Sequence, residues 1–103
     1  MSHDRITNAR ELLERFPGND LARYNLAQAL YDTGDYAGSA DHLRQLCAKK
    51  SEWMVVHILL GKCLLHTGQS DEAKNLLKHA LQLAISQHHD GPREELEELL
   101  KTL

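Results

Sequence analysis

Apolar positions recur along this chain at intervals of three and four residues, and no segment shows the strict alternation of a strand. Breakers and capping residues divide the pattern into six helical pieces. The first, about 4–16, carries Ile6, Ala9, Leu12, Leu13 and Phe16, and Pro17-Gly18 ends it. Asn19 or Asp20 caps a second, running to about Thr33, with Leu21, Tyr24, Leu26, Ala27, Leu30 and Tyr31 forming a broad apolar surface. Gly34 is placed as a left-handed terminator, and Asp35 as the cap of a third helix over about 36–49. That helix groups Tyr36, Ala40, Leu43 and Cys47 on one face. Ser51 is the cap candidate for a fourth helix, about 52–66, which Gly68 closes as Gly34 closes the second. Ser70, with Asp71 and Glu72 in the first turn, starts a long fifth helix reaching about Gln87. After His88-His89-Asp90-Gly91, Pro92 opens a last helix over 92–102. It sets Leu96, Leu99, Leu100 and Leu103 on one stripe and turns Glu94, Glu95, Glu97 and Glu98 to water.

The chain also matches itself at an offset of thirty-four residues. With 20–53 laid over 54–87, Leu26, Leu30, Thr33, Gly34 and Leu43 fall on Leu60, Leu64, Thr67, Gly68 and Leu77. Small residues coincide as well, Ala27 with Gly61 and Ala29 with Cys63. Short connections force consecutive helices antiparallel, and a constant period stacks the resulting hairpins side by side. A hairpin cannot bury its own apolar face, so each needs a neighbour. The expected architecture is all-α, a single domain over 1–103. It comprises an N-terminal half-repeat helix at 4–16, repeats at 20–53 and 54–87, and a capping helix at 92–102.

These residues resemble the tetratricopeptide repeat. Leu60-Gly61, Leu64, Gly68, Ala73, Leu77 and Ala80-Leu81 follow its pattern in the second repeat. Leu26-Ala27, Leu30, Gly34, Tyr36, Ser39 and Leu43 follow it in the first. Arg23 and His57 depart from it, standing where the family often has tryptophan, and Ser70 replaces an aromatic. The segments Arg23 to Gln28 and Leu60 to Lys62 are similar to those of small stand-alone bacterial repeat proteins. The resemblance implies a right-handed superhelical array whose first helices line a concave groove that binds protein. By repeat position the groove-facing residues are Leu21, Tyr24, Gln28 and Tyr31, then Val55, Ile58, Lys62 and Leu65, with Asp32 and His66 at the lip. The expected ligand is a peptide or amphipathic helix, held by apolar contact and oriented by Lys62 and Gln28. The same apolar face could instead pair two copies into a homodimer. Tyr24, Gln28 and Leu59 occupy the positions where chaperone-tail adaptors of this family clamp a terminal carboxylate, so that ligand is not expected.

Composition narrows the partners. At 103 residues with a net charge of −3 and basic residues spread along the chain, there is no global attraction to nucleic acid or anionic membrane. The polar start and the absence of a long apolar run point to a cytoplasmic protein. Cys47 and Cys63 read as buried free thiols. No metal centre or cofactor is expected: His88, His89 and Asp90 are adjacent on a loop, and no CxxC or HExxH spacing occurs. Cys63 and His66 are one helical turn apart and could touch, but Cys63 occupies a small buried repeat position. Without an accessible, electropositive setting such a thiol is inert, and no catalytic residue is assigned.

Overall fold

The structure is a computed structural model in which residues 2–103 are described, with side chains from residue 5 onward. Six helices follow one another: α1 (Ser2–Arg15), α2 (Asp20–Asp32), α3 (Tyr36–Lys49), α4 (Met54–His66), α5 (Ser70–Ser86) and α6 (Asp90–Lys101). Among the described residues there is no strand. Each helix packs on the next, as connections of a few residues require, and α2 also touches α4. The result is an array of antiparallel hairpins, 38 Å in its longest dimension.

Three helix ends are built alike. The amides of Gly34 and Asp35 return to the carbonyls of Tyr31 and Leu30, and those of Gly68 and Gln69 return to Leu65 and Leu64. The third turn repeats the pattern with His88 and His89 returning to Ile85 and Ala84. This double return satisfies carbonyls that the end of a helix leaves open, and it needs a left-handed residue. Gly34 and Gly68 have φ of 88° and 79°, whereas His88, at 59°, adopts the conformation with a β-carbon in place.

The helix starts depart from expectation in three places. Asn19 and Asp35 do cap, their side chains accepting from the amides of Ala22 at 3.0 Å and Gly38 at 2.9 Å. Ser51, however, does not cap α4. The carbonyl of Ser51 is taken by histidine side chains, and the helix begins three residues later behind Trp53. Ser70 does start α5, with Gln69 at the cap position. Pro92 is the third residue of α6 rather than the first, which costs no hydrogen bond because that amide would have no partner within the helix. At the N-terminus α1 begins at Ser2 and stops at Arg15, just short of Phe16.

The core is laid down by the repeat. Leu26, Leu60 and Leu96 are buried in α2, α4 and α6 at corresponding positions. Leu43 and Leu77 do the same in α3 and α5. Small residues set the closest approach within each hairpin. The Ser39 hydroxyl, fully buried, donates to the Ala27 carbonyl at 2.7 Å, joining α3 to α2. In the next hairpin a β-carbon on Gly61 would lie 2.7 Å from Cδ2 of Leu77, so only glycine lets α4 and α5 come this near. Helix α4 is buried almost all round, from Met54 and Val56 to Leu64, because α2, α3 and α5 all pack against it.

Exposed ion pairs tie the layers together. Arg5 meets Asp32 at 2.6 Å, Lys49 meets Asp20 at 2.9 Å, Arg44 meets Glu72 at 2.5 Å and Lys62 meets Glu95 at 3.4 Å. Solvent-exposed pairs contribute little, so the buried leucines and not these pairs hold the array.

Candidate functional site

The exposed faces of α2 and α4, with the start of α6, enclose a cavity of about 240 Å³. Tyr24 and Gln28 line it from α2, while Val55, Ile58 and Lys62 line it from α4. These are five of the ten residues expected at the groove or its lip from repeat position. They converge because residues spaced by three or four on a helix share a face, and the two helices run side by side.

Four others sit elsewhere. Leu21, 59% exposed, precedes the cavity by one turn and does not line it. Leu65 is half-buried, packing against both the central cluster and the one shared by α5 and α6. Tyr31 and His66 form a separate aromatic group with Tyr36. The His66 ring stacks flat on Tyr36 at 4.0 Å, and the Tyr31 hydroxyl lies 3.3 Å from its Nε2.

Leu59, read from the sequence only as a clamp position, also lines the cavity, and three lining residues escaped the sequence reading: Met54, Pro92 and Glu95. The last two come from α6. The signal was available, since Leu96 continues the series Leu26 and Leu60, but at a spacing of thirty-six residues instead of thirty-four. Helix α5 is three residues longer than α3, and the lengthening hides the third copy from a fixed-period comparison. Helix α6 therefore does two things, covering α5 through Leu96 and forming a wall of the groove.

The polar groups in the groove are already engaged. Gln28 donates to Asp32 at 3.0 Å, and the Tyr24 hydroxyl lies 3.5 Å from the Gln28 side-chain oxygen. Burial, with Asp32 nearby, pushes the Tyr24 phenol above its ordinary range, so it stays neutral and a hydrogen-bond donor. The Trp53 ring tilts against Tyr24 at 5.4 Å, with Lys50 Nζ 5.9 Å from the indole, and so packs at the junction between repeats.

The two positions where the repeat pattern often has tryptophan hold polar residues with partners. Arg23 donates to Nδ1 of His42 at 2.9 Å. His57 is buried; its Nε2 donates to the Ser51 carbonyl at 2.8 Å, and its Nδ1 lies 3.6 Å from Cys47 Sγ. His79 donates to the same carbonyl at 3.0 Å. Burial depresses the His57 pKa, and the neighbouring His79 adds to the effect. Cys47 is half-buried instead of fully buried, and desolvation pushes its thiol up to about 11. Cys63 is buried and also raised by burial, while the His66 ring turns to Tyr36. A thiol held protonated is not a nucleophile at neutral pH. Among the described residues no group of three or more histidine, cysteine or acidic side chains is placed to hold a metal ion. No helix among them is long and apolar enough to cross a membrane.

Family comparison places this geometry. Models described as tetratricopeptide repeat match residues 6–52 and 56–84. The chain belongs to the tetratricopeptide repeat family. Solved tetratricopeptide-like folds agree. The solution structure of protein BPP2914 from Bordetella parapertussis superposes with a TM-score of 0.81 at 22% identity, covering 94% of this chain and 84% of that one. The crystal structure of MamA superposes with a TM-score of 0.74 at 16% identity, covering 97% of this chain and 65% of that one. At such identities the likeness concerns the fold alone. No curated protein sequence matches the chain significantly. Tetratricopeptide repeats generally mediate protein–protein interaction or assembly, typically as non-catalytic scaffolds.

Proposed function

We propose that this tetratricopeptide repeat chain, acting as one unit over 1–103, is a cytoplasmic adaptor or assembly factor. It holds a short helix or peptide of another protein in the groove formed by α2, α4 and α6. The observation that carries this reading is the groove itself. Val55 remains 38% exposed on a helix otherwise buried almost all round, and Val55 and Ile58 stand beside Tyr24 around one open cavity. At about 240 Å³ the cavity is below the usual size of a small-molecule site, which runs ~300–1,000 Å³, and it suits one large side chain of a docked segment. Binding rests on shape and apolar contact, with Gln28 and Lys62 orienting the ligand; no catalytic step or cofactor is involved.

The test is site-specific photo-crosslinking. A photoreactive residue at Val55 should capture a partner that one at Gln82, exposed on α5, does not. The identified partner, purified, should then bind the wild-type protein and lose affinity for Tyr24→Ala and for Ile58→Gln. A partner whose affinity ignores both substitutions does not use the groove, and the reading fails.

Self-association is the second reading, and one observation favours it at a different surface from the groove. Leu12 and Phe16 on the α1 side are 41% and 52% exposed, whereas Leu46, the counterpart of Leu12 in α3, is buried. Helix α1 has a neighbour on its α2 side and open apolar residues on another. Sedimentation across a wide concentration range tests it. A species heavier than the 11.7 kDa chain that reverts on Leu12→Glu or Phe16→Glu supports a homodimer through α1. Reversion on Tyr24→Glu or Ile58→Glu would instead place a second copy in the groove.

A further inference from the structure

Successive repeats serve as controls for one another, and the charges of one layer do not match those of the next. Arg44 of α3 is neutralised by Glu72 of α5, two of its nitrogens donating to the carboxylate. Thirty-four residues earlier the counterparts are Arg10 of α1 and Gly38 of α3, so the acid is missing. A nearby position changes in the same direction. His57, bonded to the Ser51 carbonyl, has Arg23 as its counterpart, a permanent cation.

Arg10 and Arg23 both act on His42 of α3. Arg23 donates to its Nδ1 at 2.9 Å. Burial, then the charges of Arg23 and Arg10, hold the imidazole pKa below its ordinary value, against the weaker pull of Asp41. Among the described residues neither arginine forms an ion pair. A guanidinium offers five N–H donors in a fixed fork that matches a carboxylate, and the bond to His42 uses one of them on an uncharged acceptor.

These groups surround a space. Arg10, Leu13, Glu14, Leu26 and His42 line a cavity of about 230 Å³ between α1, α2 and α3. Leu13 and Leu26 are buried core residues and give it an apolar floor. Glu14 is the one acid of the lining. It follows Arg10 by four residues, yet the two are not paired. No residue of this cavity lines the groove, so the two sites are independent.

We propose that this cavity binds a carboxylate carried on an apolar body, with the acid between Arg10 and Arg23 and the body on Leu13 and Leu26. The volume admits one short aliphatic or aromatic group, as a small organic acid or an acidic side chain of a bound protein presents it. The ligand supplies to Arg10 the charge that Glu72 supplies to Arg44. A plain inorganic anion would satisfy the arginines and leave the floor uncovered, and an organic cation would meet two like charges.

Side-chain NMR of the full chain, following the arginine Nε–H and histidine ring signals, tests this with hexanoate, acetate, inorganic phosphate and hexylammonium as probes. Hexanoate should shift Arg10, Arg23 and His42 saturably and bind at least about tenfold tighter than acetate, because its longer chain covers the leucines. Bound acid should also raise the His42 pKa, which arginines with a merely structural role would not do. Arg10→Gln, at an exposed side chain, should weaken hexanoate about fivefold or more, and Arg23→Lys, which keeps the charge but loses the fork, should weaken it too. Glu14→Gln should strengthen it. Circular dichroism confirms that each variant is folded, and exposed Arg10 serves if Arg23→Lys is not. If hexanoate shifts nothing at ~0.1 M, Arg10-dependent binding of acetyl-leucyl-glutamyl-leucinamide makes an acidic side chain the ligand, and failure of both probes overturns the site. Phosphate or hexylammonium binding as tightly as hexanoate overturns the ligand class, and affinity unchanged on Arg10→Gln overturns the assignment of the arginines.

Discussion

Replacing His88 with glycine should stabilise the protein. Three helix ends use one turn geometry, and two of them place glycine at the left-handed position while the third places His88 at φ 59°. For a residue with a β-carbon that conformation costs ~1–2 kcal/mol, from the approach of the β-carbon to the following carbonyl. Glycine gives back ~0.4–1 kcal/mol through its greater freedom in the unfolded chain. The difference favours His88→Gly by about 0.5–1 kcal/mol. For a chain of this size that raises Tm by about 2–8 °C. Thermal unfolding followed by far-UV circular dichroism measures it, with Gly68→Ala as the reciprocal experiment. A β-carbon on Gly68 meets nothing within 4 Å, so any loss there reflects backbone strain alone and should be about 1 kcal/mol. A lower or unchanged Tm for His88→Gly beside a clear loss for Gly68→Ala would refute the reasoning. The imidazole would then be contributing a compensating interaction at the α5–α6 turn.

Leu96→Ala should cost ~2–5 kcal/mol, because Leu96 is the one fully buried side chain of α6 and its removal leaves a cavity against α5; a denaturation midpoint within error of wild type would contradict this. Acid should weaken the fold through His57 and His42, whose pKa values are lowered by burial and then by His79 and by Arg23 respectively. Their neutral forms are favoured in the folded state, so this stability is present above the ordinary histidine value of 6.5 and lost as pH falls below it. Denaturation midpoints measured from neutral to mildly acidic pH check the direction, and His57→Gln should flatten part of the slope. The Cys47 thiol, near pKa 11, should react with a thiol reagent far more slowly in the native than in the unfolded protein at mildly alkaline pH; equal rates would show it to be accessible and ionised.

The fold was legible from residues whose job is local. Gly34 and Gly68 announced their turns because only glycine takes that conformation cheaply, and Asn19 and Asp35 announced caps because their side chains reach the free amides. Where a tertiary contact competes, the local signal failed. Ser51 has a capping side chain, yet its carbonyl is claimed by His57 and His79, and the chain runs on to Trp53 before α4 begins. The groove was half legible. Tyr24, Gln28, Val55, Ile58 and Lys62 follow from repeat position, but the α6 wall lies outside the thirty-four-residue register because α5 is three residues longer than α3. Leu65 is half-buried against two core clusters, a matter of packing and not of spacing.

The link between the two hairpins, residues 50–53, is fastened on every side. His57 from α4 and His79 from α5 hold the Ser51 carbonyl, Gln87 donates to the Glu52 carbonyl at 3.1 Å, Lys50 reaches Asp20 of α2 at 3.5 Å, and Trp53 rests on Tyr24. A connection tied to three helices opposes hinge motion, so the contacts of this link help to set the distance between α2 and α4. The groove thus behaves as a mould. On the function proposed above, a segment docking there would do most of the adjusting, and the entropy lost on association would fall mainly on the ligand.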